Sequence, residues 1–182
     1  IPQGDWSSDV CSSDLFNRVF PMIQWLLLIS RQGKIRLQQF YNGATPREIQ
    51  SITRNAVNQV LSRPTRYCNY IEQKDSKIVF KRYASLYFII SIDKDENELM
   101  ALEFIQHYVE VLDQYFGNVC ELDIIFNYDK AYHVLNELCL GGRILETNKR
   151  EIIRVCTAQD KLETEAKSNT KSGFPGLSSL GL

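Results

Sequence analysis

The sequence predicts an α/β domain in which a mainly antiparallel sheet of about five strands is flanked by helices, with additional helices in the C-terminal part. Three observations predict it. Strand-like segments occur in closely spaced pairs, as in hairpins. A strongly signalled helix separates the first pair from the later strands. Long stretches with helical spacing of apolar residues then fill the second half of the chain.

The first 21 residues are left out of this prediction. The segment DWSSDVCSSDL, from Asp5 to Leu15, repeats SSD on either side of a cysteine. All eleven residues fit one reading frame of an oligonucleotide that resembles a widely used sequencing adapter. Composition alone favours a disordered polar leader, but the adapter match is more specific. We therefore interpret residues 1–21 as a non-native leader and expect the native chain to begin at Met22.

The remaining ~160 residues suit one domain. Hydrophobic residues make up 44% of the chain, charged residues 24%, and the formal net charge is −1. A core is therefore feasible, and no basic block favours a nucleic-acid partner. The apolar run WLLLI is far shorter than the ~20 residues of a membrane span. Four scattered cysteines without C-x-x-C spacing predict a reducing, cytosolic environment and no structural zinc: Cys68, Cys120, Cys139 and Cys156.

The first elements are a hairpin and a helix. MIQWLLLIS and IRLQQFY predict two strands around a turn at Gly33, and the continuous apolarity of the first favours cover on both faces. Thr45, Pro46 and Glu48 are then typical of a helix start, as cap, first residue and capping-box partner. Pro64 ends the helix. One stripe of this helix is predicted to be buried: Ile49, Ile52, Ala56, Val57, Val60 and Leu61.

Three further strands are predicted in YCNYIEQ, KIVFKRY and SLYFIISI. The first two are close enough for a hairpin across KDS, whereas KRYASLYF contains no obvious turn. A polar loop then leads into a long helix that Gly117 ends. Its predicted apolar face is Leu99, Leu102, Ile105, Val109, Leu112 and Phe116.

The C-terminal part predicts shorter elements. NVCELDIIFN fits either a strand or a short helix, and YDKAYHVLNELCL predicts a helix ended by Gly141 and Gly142. Asn148 with Glu151 predicts a capped start of a last helix that ends near Leu162. The polar, Gly- and Ser-rich residues 167–182 are expected to form a disordered tail.

Candidate metal sites are weak. Asp93, Asp95 and Asn97 imitate the start of a calcium loop, but Glu98 and Phe104 occupy the positions that require glycine and glutamate. We interpret this segment as an acidic cap before the long helix.

A second trio, Glu103, His107 and Glu110, shares one helical face opposite the apolar stripe, and we interpret it as solvated. His133, the remaining histidine, has no nearby nucleophile, and the glycines form no phosphate-binding motif. The residues thus favour a binding module over an enzyme and predict no catalytic residue, metal or cofactor.

Five segments carry a family resemblance: LLISRQGKIRL, KRYASLYF, DENEL, YFGNVCELDIIFN and KAY followed by LNE. In this order they resemble the small sigma chain of clathrin adaptor complexes, from Met22 to about residue 166. SRQGK and KRYASLYF are most similar to the complex of the trans-Golgi network and endosomes. The resemblance implies a longin-like fold over residues 22–166.

It also implies a heterotetramer with a large, gamma-type adaptin, a beta-type adaptin and a medium chain. The expected location is cytoplasmic, peripheral on trans-Golgi network and endosome membranes and clathrin-coated vesicles, with membrane association through the complex.

The activity that the resemblance implies is recognition of acidic dileucine sorting signals, [DE]-x-x-x-L-[LI], in cargo tails. Its implied leucine pocket consists of Ala84, Leu86, Val109, Val119 and Ile124. Asn118 and Cys120 flank the pocket and offer hydrogen bonds to the peptide. Arg36 matches the family position for the rim that receives the signal's acidic residue.

Two alternatives remain. The apolar pocket residues fit core positions equally well, and Arg36 also fits an ordinary solvated arginine. The second alternative is that the chain is another longin-domain trafficking protein, either of the SNARE type or another coat small chain. Such a protein would not bind dileucine signals. SNARE chains continue into heptads and a membrane anchor, and neither is expected from the ending SGFPGLSSLGL.

Overall fold

The computed structural model describes residues 22–64 and 66–171 of the chain. The predicted leader, residues 1–21, and residues 172–182 of the predicted tail lie outside the described residues. The elements in the first half are β1 Ile23–Ser30, β2 Ile35–Phe40, α1 Pro46–Leu61, β3 Tyr70–Glu72, β4 Ser76–Tyr83 and β5 Leu86–Asp93. Those in the second half are α2 Glu98–Phe116, α3 Glu121–Phe126, α4 Tyr128–Leu138, β6 Cys139–Leu140, β7 Arg143–Ile144 and α5 Lys149–Lys171.

Five strands form one antiparallel sheet in the order β2-β1-β5-β4-β3. Strand β1 lies between two neighbours and is buried over almost its whole length, as its continuous apolarity predicts. The predicted fold class, a five-stranded antiparallel sheet flanked by helices, is confirmed. The predicted strand YCNYIEQ is shorter than expected, because only Tyr70–Glu72 pairs with β4.

Helix α1 covers one face of the sheet. Its start follows the predicted capping box: the Glu48 carboxylate accepts hydrogen bonds from the Thr45 backbone N–H at 2.8 Å and from the Thr45 hydroxyl at 2.7 Å. These bonds lower the pKa of Glu48. Ala56 and Val60 pack against a core cluster on this face. We call this surface of the sheet the α1 face.

The opposite surface of the sheet, here called the α2 face, carries the larger core. Tyr108 of α2 is fully buried there, and its hydroxyl donates a hydrogen bond to the carbonyl of Ala131 in α4 at 3.0 Å. Burial raises the pKa of Tyr108 well above its ordinary value, so the hydroxyl remains a donor. Helices α2, α4 and α5 all contribute to this cluster.

The buried side of α2 is rotated relative to the prediction. Leu99 is 71% exposed, whereas Phe104 and Tyr108 are buried. The reason is that α2 packs against α4 and α5 as well as the sheet, so residues on a second side also become buried. Val109 therefore lies at the margin of the core, half-buried and within reach of the surface.

The C-terminal region differs from the prediction in two respects. Gly141 and Gly142 end no helix directly; they form the turn between β6 and β7. Helix α5 starts at the predicted cap, where the Asn148 side chain accepts from the Arg150 N–H at 3.2 Å. It then continues past Leu162 to Lys171, so residues 167–171 are helical and only the remainder of the predicted disordered tail stays a prediction. Glu, Ala and Lys between these positions are good helix formers.

Candidate functional site

Arg36 lies at a β-bulge in the edge strand β2. Leu28 pairs with Leu37, and the next residue, Ile29, pairs with Ile35, so Arg36 is the extra residue in the ladder. A bulge interrupts the alternation of side chains between the two faces of a sheet. Leu37 is buried on the α2 face, and the bulge directs Arg36 to that face as well.

The Arg36 guanidinium contacts Glu121, the first residue of α3. Its Nε and Nη2 atoms donate hydrogen bonds to the same oxygen, Oε1, at 3.0 Å and 2.8 Å. The two side chains are 22% and 23% exposed. The Arg36 hydrogen bonds, the neighbouring Ser85 side chain and the charge of Arg31 together hold the pKa of the Glu121 carboxyl below its usual value.

The β4–β5 turn borders this pair. Tyr83 pairs with Leu86, leaving a two-residue turn of Ala84 and Ser85. Ala84 has a φ of 49°, a left-handed conformation that most residues with a side chain avoid. Its methyl group is exposed and small, which leaves space beside the turn. The carbonyl of Ala84 accepts a hydrogen bond from Arg82 Nε at 3.2 Å.

A second turn, between α2 and α3, supplies the flanking residues. Gly117 and Asn118 are both left-handed, with φ of 68° and 67°, and both N–H groups donate to the carbonyl of Asp113. The N–H of Val119 donates to Asp113 Oδ1 at 3.1 Å, and that of Cys120 to Asp123 Oδ2 at 2.8 Å. These N–H groups have partners within the chain, whereas the side chains of Asn118 and Cys120 are exposed.

The four large apolar residues of the implied pocket belong to one cluster. Leu86 is 5% exposed and Ile124 is fully buried. Val109 and Val119 are half-buried and pack against the same cluster. Both valines therefore present part of their side chains at the surface, whereas Leu86 and Ile124 lie in the core.

The structure brings together both parts of the implied site. Arg36 reaches α3, the helix that contains Ile124 and follows directly on Asn118, Val119 and Cys120. Sequence reasoning missed Glu121, the residue with which Arg36 pairs. The sequence contains no local signal for the Arg36–Glu121 pair, because 85 positions separate the two residues.

The second trio, predicted to be solvated, is partly covered. Glu110 is bound by Lys149 and by Gln106, the latter at 2.6 Å. Nε2 of His107 is buried without a hydrogen-bond partner, and burial next to Lys149 lowers the pKa of this histidine. Glu103 is exposed, as predicted for a solvated face, but His107 is not, because it lines a small cavity together with Phe104, Ile144 and Thr147.

Metal binding and membrane insertion are two other functions on which the structure bears. Within residues 22–64 and 66–171, no group of three or more His, Cys, Asp or Glu side chains is placed to hold a metal ion. In the same described part of the chain, no helix has both the length and the apolar character needed to cross a membrane.

A separate cavity of about 400 Å³ lies on the α1 face, between β2 and α1, and is lined by Ile35, Thr53 and Val57 among others.

Comparison with known proteins identifies small chains of adaptor complexes as relatives of this chain. The family model described as "clathrin adaptor complex small chain" matches residues 22–163. The AP-1 complex subunit sigma-2 of Dictyostelium discoideum is 53% identical over 138 residues, covering 76% of this chain and 90% of the relative. The AP-1 complex subunit sigma-1A of Homo sapiens is 46% identical over 147 residues, covering 81% and 93%.

A structural comparison agrees with these matches. A chain of a homology model of the full-length AP-3 complex, in a stretched open conformation, has a TM-score of 0.63 and 28% sequence identity. The alignment covers 81% of this chain and 99% of that one. The predicted resemblance to sigma chains, and to the trans-Golgi network and endosome adaptor in particular, is confirmed by the AP-1 relatives, and the family is one of adaptor subunits rather than enzymes. On this evidence the chain belongs to the clathrin adaptor complex small chain family.

Proposed function

We propose that this chain is the sigma subunit of a heterotetrameric clathrin adaptor complex and helps to bind acidic dileucine signals in cargo tails. Its partners in the proposal are a gamma-type large adaptin, a beta-type adaptin and a medium chain. The complex acts in transport between the trans-Golgi network and endosomes, as a peripheral coat on these membranes and on clathrin-coated vesicles. The family match and the AP-1 relatives support this assignment.

One observation carries the cargo-binding part of the proposal. Two half-buried valines, Val109 and Val119, pack against the core cluster that contains Leu86 and Ile124, and the bulge in β2 directs Arg36 to the same side of the sheet. This places an apolar surface and a cation on the same side. An acidic dileucine signal presents the complementary groups, a carboxylate followed by two adjacent leucines.

The two parts of such a site contribute unequally. Burial of one leucine side chain is worth ~1.5–3 kcal/mol. A partly exposed ion pair is worth ~0–1 kcal/mol and weakens with salt. After the cost of ordering a flexible tail, a roughly micromolar or weaker site remains. The leucines therefore provide most of the affinity, Arg36 provides selectivity, and capture of cargo depends on several simultaneous contacts of the coat with the membrane.

Replacement of Arg36 by serine tests the division of labour. We expect the assembled Arg36→Ser complex to lose the preference for a peptide with Glu four residues before Leu-Leu over the matching Gln peptide. The expected loss is at most about fivefold for the Glu peptide, because one exposed ion pair disappears. Fluorescence anisotropy with both peptides measures it. Arg54→Ser on α1 is the matched control, since Arg54 is exposed on the α1 face.

An equal loss of affinity for the Glu and Gln peptides would contradict this role of Arg36. The assembly part of the proposal is tested separately, by purifying the full chain from cells and determining the stoichiometry of the chains that co-purify. Two large adaptins and one medium chain per copy are expected.

A further inference from the structure

We propose that Glu121 is a built-in counter-ion of Arg36 that competes with the acidic residue of an incoming signal. In this arrangement Glu121 sets how strongly the site discriminates acidic from neutral signals. The inference rests on the proposed dileucine site and adds to it a residue that opposes binding.

The geometry makes Glu121 a substitute for the ligand carboxylate. Two donors of the Arg36 guanidinium, Nε and Nη2, already point at Glu121 Oε1, at 3.0 Å and 2.8 Å. This is one of the donor pairs through which an arginine can bind a peptide carboxylate at short range. A signal that reaches Arg36 must therefore displace the Glu121 carboxylate or share the guanidinium with it.

Displacement leaves Glu121 with other partners. The Ser85 side chain and the charge of Arg31 also favour the ionised form of the Glu121 carboxyl, whose pKa they lower. An exchange of partners at Arg36 thus does not strand an uncompensated charge, which would be costly in a partly buried position. The backbone at Glu121 stays fixed meanwhile, because Cys120 and Asp123 form the hydrogen-bonded start of α3.

The binding free energy gained from an acidic residue in the signal is therefore the difference between the free energies of two ion pairs, Arg36 with the signal and Arg36 with Glu121. In the free site Arg36 is paired with Glu121, so a peptide glutamate exchanges one pair for another. Without the Glu121 charge, the same glutamate would form a pair where none existed. Removal of this charge should therefore increase the affinity for acidic signals and leave the affinity for neutral signals unchanged.

The test uses the assembled heterotetramer carrying Glu121→Gln, which preserves the side-chain length and removes the charge. Affinities are measured by anisotropy for labelled peptides with Glu or Gln four residues before Leu-Leu, and for a Glu peptide with Ser-Ser in place of the leucines. We expect the Glu peptide to bind the variant about two- to fivefold more tightly than it binds wild type, because one exposed ion pair contributes a free energy in this range. The Gln peptide should bind with unchanged affinity.

Glu151→Gln is the matched control. Glu151 is also a partly exposed glutamate in the first turn of a helix, and it also binds an arginine, Arg154. Its substitution changes the net charge equally, so an equal gain from Glu151→Gln would overturn the inference in favour of a general charge effect.

Two further variants test whether the effect of Glu121 depends on Arg36. In an Arg36→Ser background, Glu121→Gln should no longer increase the affinity for the Glu peptide, because the competing pair is already absent. Glu121→Asp keeps the charge but withdraws the carboxylate by one methylene, so a smaller gain is expected. If the Gln variant fails to assemble, the Asp variant decides the question.

Weaker or unchanged binding of the Glu peptide by a correctly assembled Glu121 variant would overturn the inference, since Glu121 would then orient Arg36 or be neutral. This outcome differs from a failure of the proposed function. If wild type binds the Leu-Leu and Ser-Ser peptides equally, the dileucine site itself is refuted and the inference falls with it.

Discussion

Replacement of Val109 by aspartate is expected to weaken binding of a dileucine peptide to the assembled complex by at least about tenfold. Val109 is one of the two half-buried valines in the proposed leucine pocket. A leucine packed there would meet a carboxylate instead of a methyl group. Loss of one buried leucine contact amounts to ~1.5–3 kcal/mol, and ~1.4 kcal/mol corresponds to a factor of ten.

Val57→Asp is the matched control for this variant. Val57 is also a half-buried valine on a helix, but it lies on the α1 face and lines the cavity of about 400 Å³. Isothermal titration with one Leu-Leu peptide compares the two complexes, after gel filtration confirms that both assemble. Unaltered binding by Val109→Asp, or an equal loss in Val57→Asp, would refute the proposed pocket.

Substitution of Gly142 by alanine is expected to destabilise the full chain by about 2–4 kcal/mol. Gly142 has a φ of 84°, and its carbonyl accepts a hydrogen bond from the N–H of Ile23 at 2.8 Å. A Cβ at this position would lie 2.3 Å from the carbonyl oxygen of Ile23. Because that contact is with backbone, β1 would have to move away from the β6–β7 turn. Thermal unfolding followed by circular dichroism should show a midpoint lowered by roughly 5 °C or more.

Gly141→Ala provides the comparison. Gly141 is also left-handed, with a φ of 58°, but apart from its chain neighbours no atom of the described residues lies within 4 Å of the position of its Cβ. Only the conformational cost of roughly 1–2 kcal/mol applies. Equal destabilisation by the two variants would show that the close approach to Ile23 does not contribute to stability.

Elements with local signals were predictable from the sequence. The start of α1 depends on Thr45, Pro46 and Glu48, which are neighbours in the chain, and all three act as predicted. The left-handed end of α2 at Gly117 is likewise a local property. The β4–β5 turn escaped prediction because Ala84 adopts a left-handed conformation without the Gly or Asn that normally indicates it.

The candidate site was predictable only in part. The family resemblance located the residues on the chain, but it did not predict which of them are accessible. That depends on the rotation of α2, which leaves Val109 at the margin of the core, and on the bulge, which directs Arg36 towards α3. Both result from packing between distant segments, and for that reason Glu121 could not be paired with Arg36 beforehand.

Photo-crosslinking tests the central claim most directly. A dileucine peptide with a diazirine analogue at each leucine position is bound to the assembled complex, irradiated and mapped by mass spectrometry. We expect cross-links on this chain around Val109 and between Asn118 and Ile124, and competition by an unlabelled Leu-Leu peptide but not by a Ser-Ser peptide. Specific cross-links at the cavity near Val57, or only on other chains of the complex, would contradict the account.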